Sequence, residues 1–269
     1  MIPTFLCSVA GGMSLVLGMA RFEQMSQRFV RLIGLLVLAL ATAAAAWCVR
    51  NPTPTPTPCW TLATVASMSC AATAAAVILL TPWPGARRGP VRGLAVGGGV
   101  CGCTAACLLA STFADTPAPT AVMAALNAAG LVLGSFLAGS VTVAWLLGHA
   151  YLTATKMTIA PLQRFSRIFS LAVVVRFVYL ALCLALLRFV PNPNVGQWSL
   201  ADLGDSWLIL SLRVGVGLFA LGAFAYMVRD CVKVRSTQSA TGILYFASVF
   251  AYVGELCSLH LVSEFGIPL

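Results

Sequence analysis

Eight apolar stretches follow one another along the chain, separated by short polar segments. They cover residues 2–20, 29–49, 59–81, 93–114, 120–148, 167–190, 207–228 and 241–264. A helix of about 20 mostly apolar residues spans a bilayer, and each stretch reaches about that length. The stretch 93–114 is the least apolar because Gly, Ala and Cys dominate it. The pattern predicts an all-α, polytopic integral membrane bundle of eight transmembrane helices, with residues 1–269 forming one domain.

The basic residues are concentrated in the polar segments that follow the odd-numbered stretches. Twelve of the 16 Lys and Arg residues lie there, namely Arg21, Arg28, Arg31, Arg87, Arg88, Arg92, Lys156, Arg164, Arg167, Arg229, Lys233 and Arg235. Cytoplasmic loops of membrane proteins carry an excess of Lys and Arg. The alternation therefore predicts a cell-membrane protein of the bacterial inner-membrane type, with both termini outside the cytoplasm. It also supports 93–114 as a helix, because removing that helix would break the pattern.

The composition agrees with this topology and makes several functions improbable. Hydrophobic residues make up 60% of the chain and charged residues 9%, whereas soluble domains carry about 25% charged residues. The net charge of +9 comes from loop charges that orient helices, so nucleic-acid binding is not expected. The chain has no P-loop, dinucleotide-binding glycine fingerprint, HExxH or G-x-S-x-G pattern. It carries no catalytic motif of its own, and any part in an enzyme would be as a quinone-interacting subunit.

Four ionisable residues lie inside the last three apolar stretches. They are Arg176, Arg213, Glu255 and His260. Ionisable side chains within a bilayer are costly, which makes them candidate functional residues. At about 1.5 Å per residue, Arg213 lies roughly 9 Å from Trp207 and Glu255 roughly 14 Å from Glu264. If the last two helices are neighbours, Arg213 and Glu255 lie at similar depths and within side-chain reach.

These positions allow two interpretations. The first is a structural ion pair between Arg213 and Glu255, with Arg176 extending toward the membrane surface. The second is a polar pocket between helices six, seven and eight, whose excess positive charge suits a quinone carbonyl, a lipid head group or an anionic substrate. Gly130 and Gly134 form a GxxxG pattern in the fifth stretch, which predicts a close helix contact there.

The histidines and most cysteines give no indication of a metal or haem site. His149 and His260 are expected near opposite membrane faces, so they cannot ligate one haem together, and no Cys-x-x-Cys-His pattern occurs. Most cysteines fall within apolar stretches, where a thiol acts as a small hydrophobic group. Cys48 and Cys59 differ because they flank the Pro/Thr-rich segment on the predicted outer face. A disulfide between them is geometrically allowed if that face is oxidising.

The predicted architecture resembles the membrane anchor subunits of dimethyl sulfoxide reductase-type molybdoenzymes. Eight helices, short loops and outward termini carry the resemblance over the whole chain. In the last stretch, Gly254-Glu255-Leu256, followed by His260, is similar to the ending of those anchors. The resemblance implies a haem-free subunit that oxidises quinol and passes electrons to an iron–sulfur subunit. It also implies that Glu255 and one arginine contact the quinone.

Our leading hypothesis is therefore an integral membrane subunit of a respiratory-type redox complex, acting in electron transport as a quinone-binding anchor. Its partners would be the lipid bilayer and iron–sulfur or molybdopterin subunits, with no covalently bound cofactor. One alternative is a transporter of a small solute or lipid that uses the same polar pocket. Another is a structural membrane protein whose buried charges only fix the register of its helices.

Overall fold

The computed structural model describes residues 1–51, 58–81, 88–113, 121–153, 158–189 and 206–265. Within these ranges the chain is helical and contains no strand. The helices are α1 (Ile2–Gly18), α2 (Gln27–Arg50), α3 (Pro58–Leu80), α4 (Arg88–Phe113), α5 (Ala121–Thr153), α6 (Ala160–Phe189), α7 (Trp207–Lys233) and α8 (Thr237–Phe265). A short 3-10 turn, Phe22–Gln24, connects α1 to α2. Arg87 and Lys156 of the basic segments lie outside the described residues.

The helices from α2 to α8 are long and apolar enough to cross a membrane. The first helix, α1, is apolar but has 17 residues and ends before the predicted boundary at residue 20. Many large apolar side chains face outward, among them Leu79 at 71%, Val178 at 63% and Phe219 at 65% exposure. Such residues are suited to contact with lipid tails. The described residues therefore form a multi-pass helical membrane protein.

Several helices extend beyond the apolar stretches that predicted them. The weakly apolar stretch 93–114 lies in the 26-residue helix α4, which begins at Arg88. Similarly, α6 begins at Ala160 rather than 167, and α8 begins at Thr237 rather than 241. Apolarity marks the part of a helix that lies in lipid, whereas backbone hydrogen bonding continues through polar turns at its ends. The predicted boundaries are too narrow for this reason.

The eight helices form two four-helix bundles with the same order of contacts. In the first bundle, α1 and α3 each contact both α2 and α4. In the second bundle, α5 and α7 each contact both α6 and α8. The two bundles meet where α1 packs against α5. The sequence shows no evident internal repeat, so this two-part arrangement was not predicted.

Small residues allow the close contact between α1 and α5. A Cβ atom on Gly12 would overlap the carbonyl oxygen of Ser135, and one on Gly139 would overlap the backbone of Gly12. Large buried side chains such as Met13 and Leu137 belong to the apolar core around this contact. Because glycine has no Cβ atom, the two backbones approach closely at these positions, and this packing holds the bundles together.

Candidate functional site

Glu255 in α8 bridges two arginines that come from different helices. Its Oε2 atom accepts a hydrogen bond from Nη2 of Arg176 in α6 at 3.1 Å. Its Oε1 atom accepts from Nη1 of Arg213 in α7, also at 3.1 Å. Arg176 and Arg213 are each 1% exposed and Glu255 is 7% exposed. We call these three residues the charged cluster. The predicted contact between Arg213 and Glu255 is confirmed.

Arg176 has further partners that hold its guanidinium group in the interior. Its Nη1 atom donates to the carbonyl oxygen of Gly130 at 2.8 Å, and Nη2 also donates to Oγ of Ser258 at 3.1 Å. The guanidinium carbon lies 5.3 Å from the centroid of the Tyr179 ring, within the range of a cation–π interaction. The Tyr179 hydroxyl in turn donates to the carbonyl oxygen of Leu126 at 2.7 Å. Arg176 therefore does not extend to the membrane surface, and that part of the structural interpretation is wrong.

Arg213 lies in an unusual segment of α7. Residues Leu212–Ala220 form a π-helix, with α-helical turns on either side. One turn beyond Arg213, Gly217 meets Gly254 of α8 so closely that a Cβ on Gly217 would lie 2.6 Å from the Gly254 Cα. This close crossing brings the Arg213 guanidinium within reach of Glu255. Such π-helical turns are rare and often occur at functional sites.

The GxxxG pattern of α5 makes space for the charged cluster. A Cβ atom on Gly134 would overlap Oε2 of Glu255, and one on Gly130 would lie 2.8 Å from the hydroxyl oxygen of Tyr179. The sequence predicted a close helix contact at these glycines, and the structure places side chains of Tyr179, Glu255 and Arg176 against them rather than the backbone of another helix. Their effect is to admit polar side chains of α6 and α8 against the α5 backbone.

The charged cluster has an excess of positive charge. Two guanidinium groups, which remain protonated in proteins, face a single carboxylate. Burying an ion costs several kcal/mol unless it is paired and hydrogen-bonded. The Gly130 carbonyl and the Tyr179 ring partly offset the excess charge, but the buried Nε atom of Arg176 has no hydrogen-bond partner among the residues that the structure describes. The cluster is therefore suited to attract an anion or a hydrogen-bond acceptor.

A small cavity adjoins the charged cluster between α1, α5, α6 and α8. Arg176 and Glu255 line it together with Ser8, Asn127 and Ser258. Its volume is about 10 Å³, which is close to the space that one water molecule requires. The side-chain oxygen of Asn127 is buried and lacks a hydrogen-bond partner among the described residues. The described residues that line this cavity include none from α7. The charged cluster itself joins α6, α7 and α8, and a ligand pocket between those three helices stays a prediction.

His260 is not part of this arrangement. It is half-buried, and the described residues that line the cavity include its neighbours Ser258 and Leu259 but not His260 itself. Five residues after Glu255, a helical side chain points about 140° away around the axis. The structure therefore does not bring His260 to the charged cluster. His149 lies exposed near the far end of α5.

The cysteines form neither a disulfide nor a metal site in the described part of the chain. Cys48 is buried and Cys59 half-buried, and both are free thiols. The backbone oxygen of Cys48 accepts a hydrogen bond from the Trp60 indole at 3.2 Å. A disulfide between Cys48 and Cys59 stays a prediction for the oxidised protein. No group of three or more His, Cys, Asp and Glu residues within the described ranges is placed to hold a metal ion.

Sequence reasoning missed several residues around the charged cluster, although two patterns could have indicated them. Asn127, Gly130 and Gly134 are spaced by three and four residues, which places them along one face of α5. Ser258 follows Glu255 by three residues and therefore shares its face of α8. Tyr179 follows Arg176 by the same interval on α6. Ionisable residues are the conspicuous signal in an apolar stretch, whereas their small and hydroxyl-bearing neighbours are easily taken for packing residues.

Comparison with known proteins gave no match to a family model, a curated protein or a solved structure.

Proposed function

We propose that the chain is an integral membrane subunit of a respiratory-type redox complex, with the charged cluster as its quinone site. The observation that carries this proposal is the buried excess of positive charge formed by Arg176, Arg213 and Glu255. Quinones are soluble in lipid and present carbonyl oxygens, which accept hydrogen bonds from guanidinium groups. Iron–sulfur or molybdopterin subunits are the electron partners in this proposal.

The donor groups fit a quinone, but the present cavity does not accommodate its ring. Ligand pockets typically measure about 300–1,000 Å³, whereas this cavity has a volume of about 10 Å³. Phe5 and Ser8 of α1 form one wall of the cavity, and the Phe5 ring packs edge-on against Tyr252 of α8 at 5.8 Å between centroids. The proposal therefore requires α1 to move away from α5 and α8 before a quinone can bind.

Purification in a mild detergent tests this proposal. We expect a quinone, measured after solvent extraction, and a redox subunit, identified by mass spectrometry, to accompany the folded protein. Arg176→Lys should lower the quinone content severalfold, because Arg176 lines the cavity and a lysine there keeps the charge but loses the planar donor geometry. Glu264→Gln is the control, since Glu264 lies exposed near the end of α8. Recovery of a monodisperse protein with neither quinone nor redox partner would contradict the proposal.

A second candidate function is transport of a small solute or lipid. The observation that favours it is the combination of a small cavity beside buried charges with a π-helical segment in α7, since local helix irregularities can act as hinges. In reconstituted vesicles, uptake or efflux would then depend on Arg213 and Glu255 without any redox partner. If Glu255→Gln changed stability alone, neither function would hold and the cluster would only fix the helix register.

A further inference from the structure

A second cavity lies between α6 and α7 at the basic end of the bundle. Its volume is about 370 Å³, which is large enough for a phosphate group with part of its substituents. Three basic residues line it, Arg167 from α6 and Arg229 and Lys233 from α7. Ser166, Ser170 and Gln163 of α6 contribute polar side chains to the same wall. We call this cavity the basic pocket.

The basic pocket brings like charges from two helices to one cavity. Lys233 forms an ion pair with Asp230 of its own helix, with 2.9 Å between Nζ and Oδ1. This single carboxylate, which is 42% exposed, does not balance the charges of Arg167, Arg229 and Lys233 together. Like charges near one another disfavour the packing of α6 against α7. An anion between them would offset this repulsion.

Exposed apolar residues continue from the basic pocket toward the middle of both helices. On α6, Leu171, Val174 and Val178 follow Arg167 at helical spacing and are 58%, 56% and 63% exposed. On α7, Tyr226 and Phe219 precede Arg229 and are 68% and 65% exposed. A free phosphate ion would make no use of this apolar surface. A phospholipid would place its acyl chains along it while its head group lies among the basic residues.

We infer that the basic pocket binds the head group of an anionic phospholipid from the adjacent leaflet. The phosphate accepts hydrogen bonds from Arg167, Arg229 and Lys233, and the acyl chains lie along the exposed apolar residues of α6 and α7. Basic pockets between membrane helices on the cytoplasmic side are suited to anionic lipid head groups. The inference is independent of the proposed redox function, since Arg167 lies roughly 14 Å along α6 from Arg176.

Titration of the detergent-solubilised full chain with phosphatidylglycerol, followed by native mass spectrometry, tests the inference. We expect the triple variant Arg167→Gln/Arg229→Gln/Lys233→Gln to bind phosphatidylglycerol roughly a hundredfold more weakly. The matched control is Arg21→Gln/Arg28→Gln/Arg235→Gln, which removes the same charge from exposed residues that do not line the pocket. The control should bind as the unmodified protein does.

Further variants and ligands in the same experiment identify the kind of ligand and test whether a variant has misfolded. The variant Arg167→Lys/Arg229→Lys keeps the charges and should retain most of the affinity, which separates loss of charge from loss of fold. Phosphatidylcholine should bind weakly to every variant, because its head group has no net charge. Equal losses in the pocket and control triples would overturn the inference in favour of general electrostatic attraction. Displacement of the lipid by millimolar inorganic phosphate would overturn it in favour of a soluble anion.

Discussion

Glu255 determines the electrostatics of the second bundle because it pairs with both buried arginines. Its two oxygens lie 3.1 Å from Arg176 and 3.1 Å from Arg213, so each guanidinium would lose this carboxylate contact without it. Removing one partner of a buried ion pair typically costs about 3–5 kcal/mol, since the remaining charge is left uncompensated. At the residue scale, the cluster therefore predicts a large and specific dependence of stability on one carboxylate.

We expect Glu255→Gln to lower the free energy of unfolding by about 3–5 kcal/mol. Glu264→Gln, on the same helix but exposed, should change it by less than about 0.5 kcal/mol. The double variant Glu255→Gln/Arg213→Gln should be less destabilised than the sum of its single changes, because it leaves fewer unpaired charges. Unfolding curves in mixed detergent micelles measure all of these. Similar curves for Glu255→Gln and Glu264→Gln would show that the cluster does not stabilise the fold.

The crossing of α7 and α8 controls the geometry of the charged cluster at the scale of helices. Gly254 precedes Glu255 directly and faces Gly217 of the π-helical segment, where a Cβ on Gly254 would lie 2.5 Å from the Gly217 Cα. The close approach therefore places the carboxylate of α8 beside the guanidinium of α7. A larger residue at this crossing would force the helices apart and lengthen the contact between Arg213 and Glu255.

We expect Gly254→Ala to destabilise the protein by about 1–3 kcal/mol, as overpacking of an interior commonly does. The matched control is Gly242→Ala on the same helix, because a Cβ there meets nothing within 4 Å. That control should change stability by less than about 1 kcal/mol. Thermal unfolding in detergent compares the two variants. A Gly254→Ala protein as stable as Gly242→Ala would show that the crossing can open without cost.

At the scale of the whole molecule, the described helices form two bundles with the same order of helix contacts, joined through α1 and α5. The charged cluster lies within the second bundle, whereas α1 of the first bundle closes its cavity through Phe5 and Ser8. The contact between the bundles therefore lies beside the cavity that adjoins the cluster. The basic pocket lies on α6 and α7, away from this contact, so lipid binding there leaves the junction unobstructed.

For the whole molecule, the charge alternation predicts which side of the membrane each loop faces. Asn51 follows α2 and Thr158 precedes α6, and both are exposed. If the basic segments are cytoplasmic, a membrane-impermeant maleimide should label Asn51→Cys in intact cells but leave Thr158→Cys unlabelled until the cells are permeabilised. The unmodified protein, with its own cysteines, supplies the background labelling. The reverse pattern would show that the basic segments face outward.

Much of the architecture follows from local properties of the sequence. The order of the described helices can be read from apolar length, because a spanning helix needs a minimum run of apolar residues. The contact between Arg213 and Glu255 could be predicted too, since both depth and chain adjacency are local quantities. The GxxxG spacing likewise marked Gly130 and Gly134 as sites of close approach, but not which side chains approach them.

Other features depend on which helices meet, and apolar patterns do not encode that directly. The second partner of Glu255 is Arg176, which is 79 residues away in the chain, and the packing of both α6 and α8 against α5 and α7 brings the two together. The exclusion of His260, the two-bundle arrangement and the small size of the cavity have the same origin. The sequence by itself determined the helices, the charge alternation and the identity of the buried ions. The tertiary structure decided which charges pair and how much space remains, because side-chain packing between distant segments sets both.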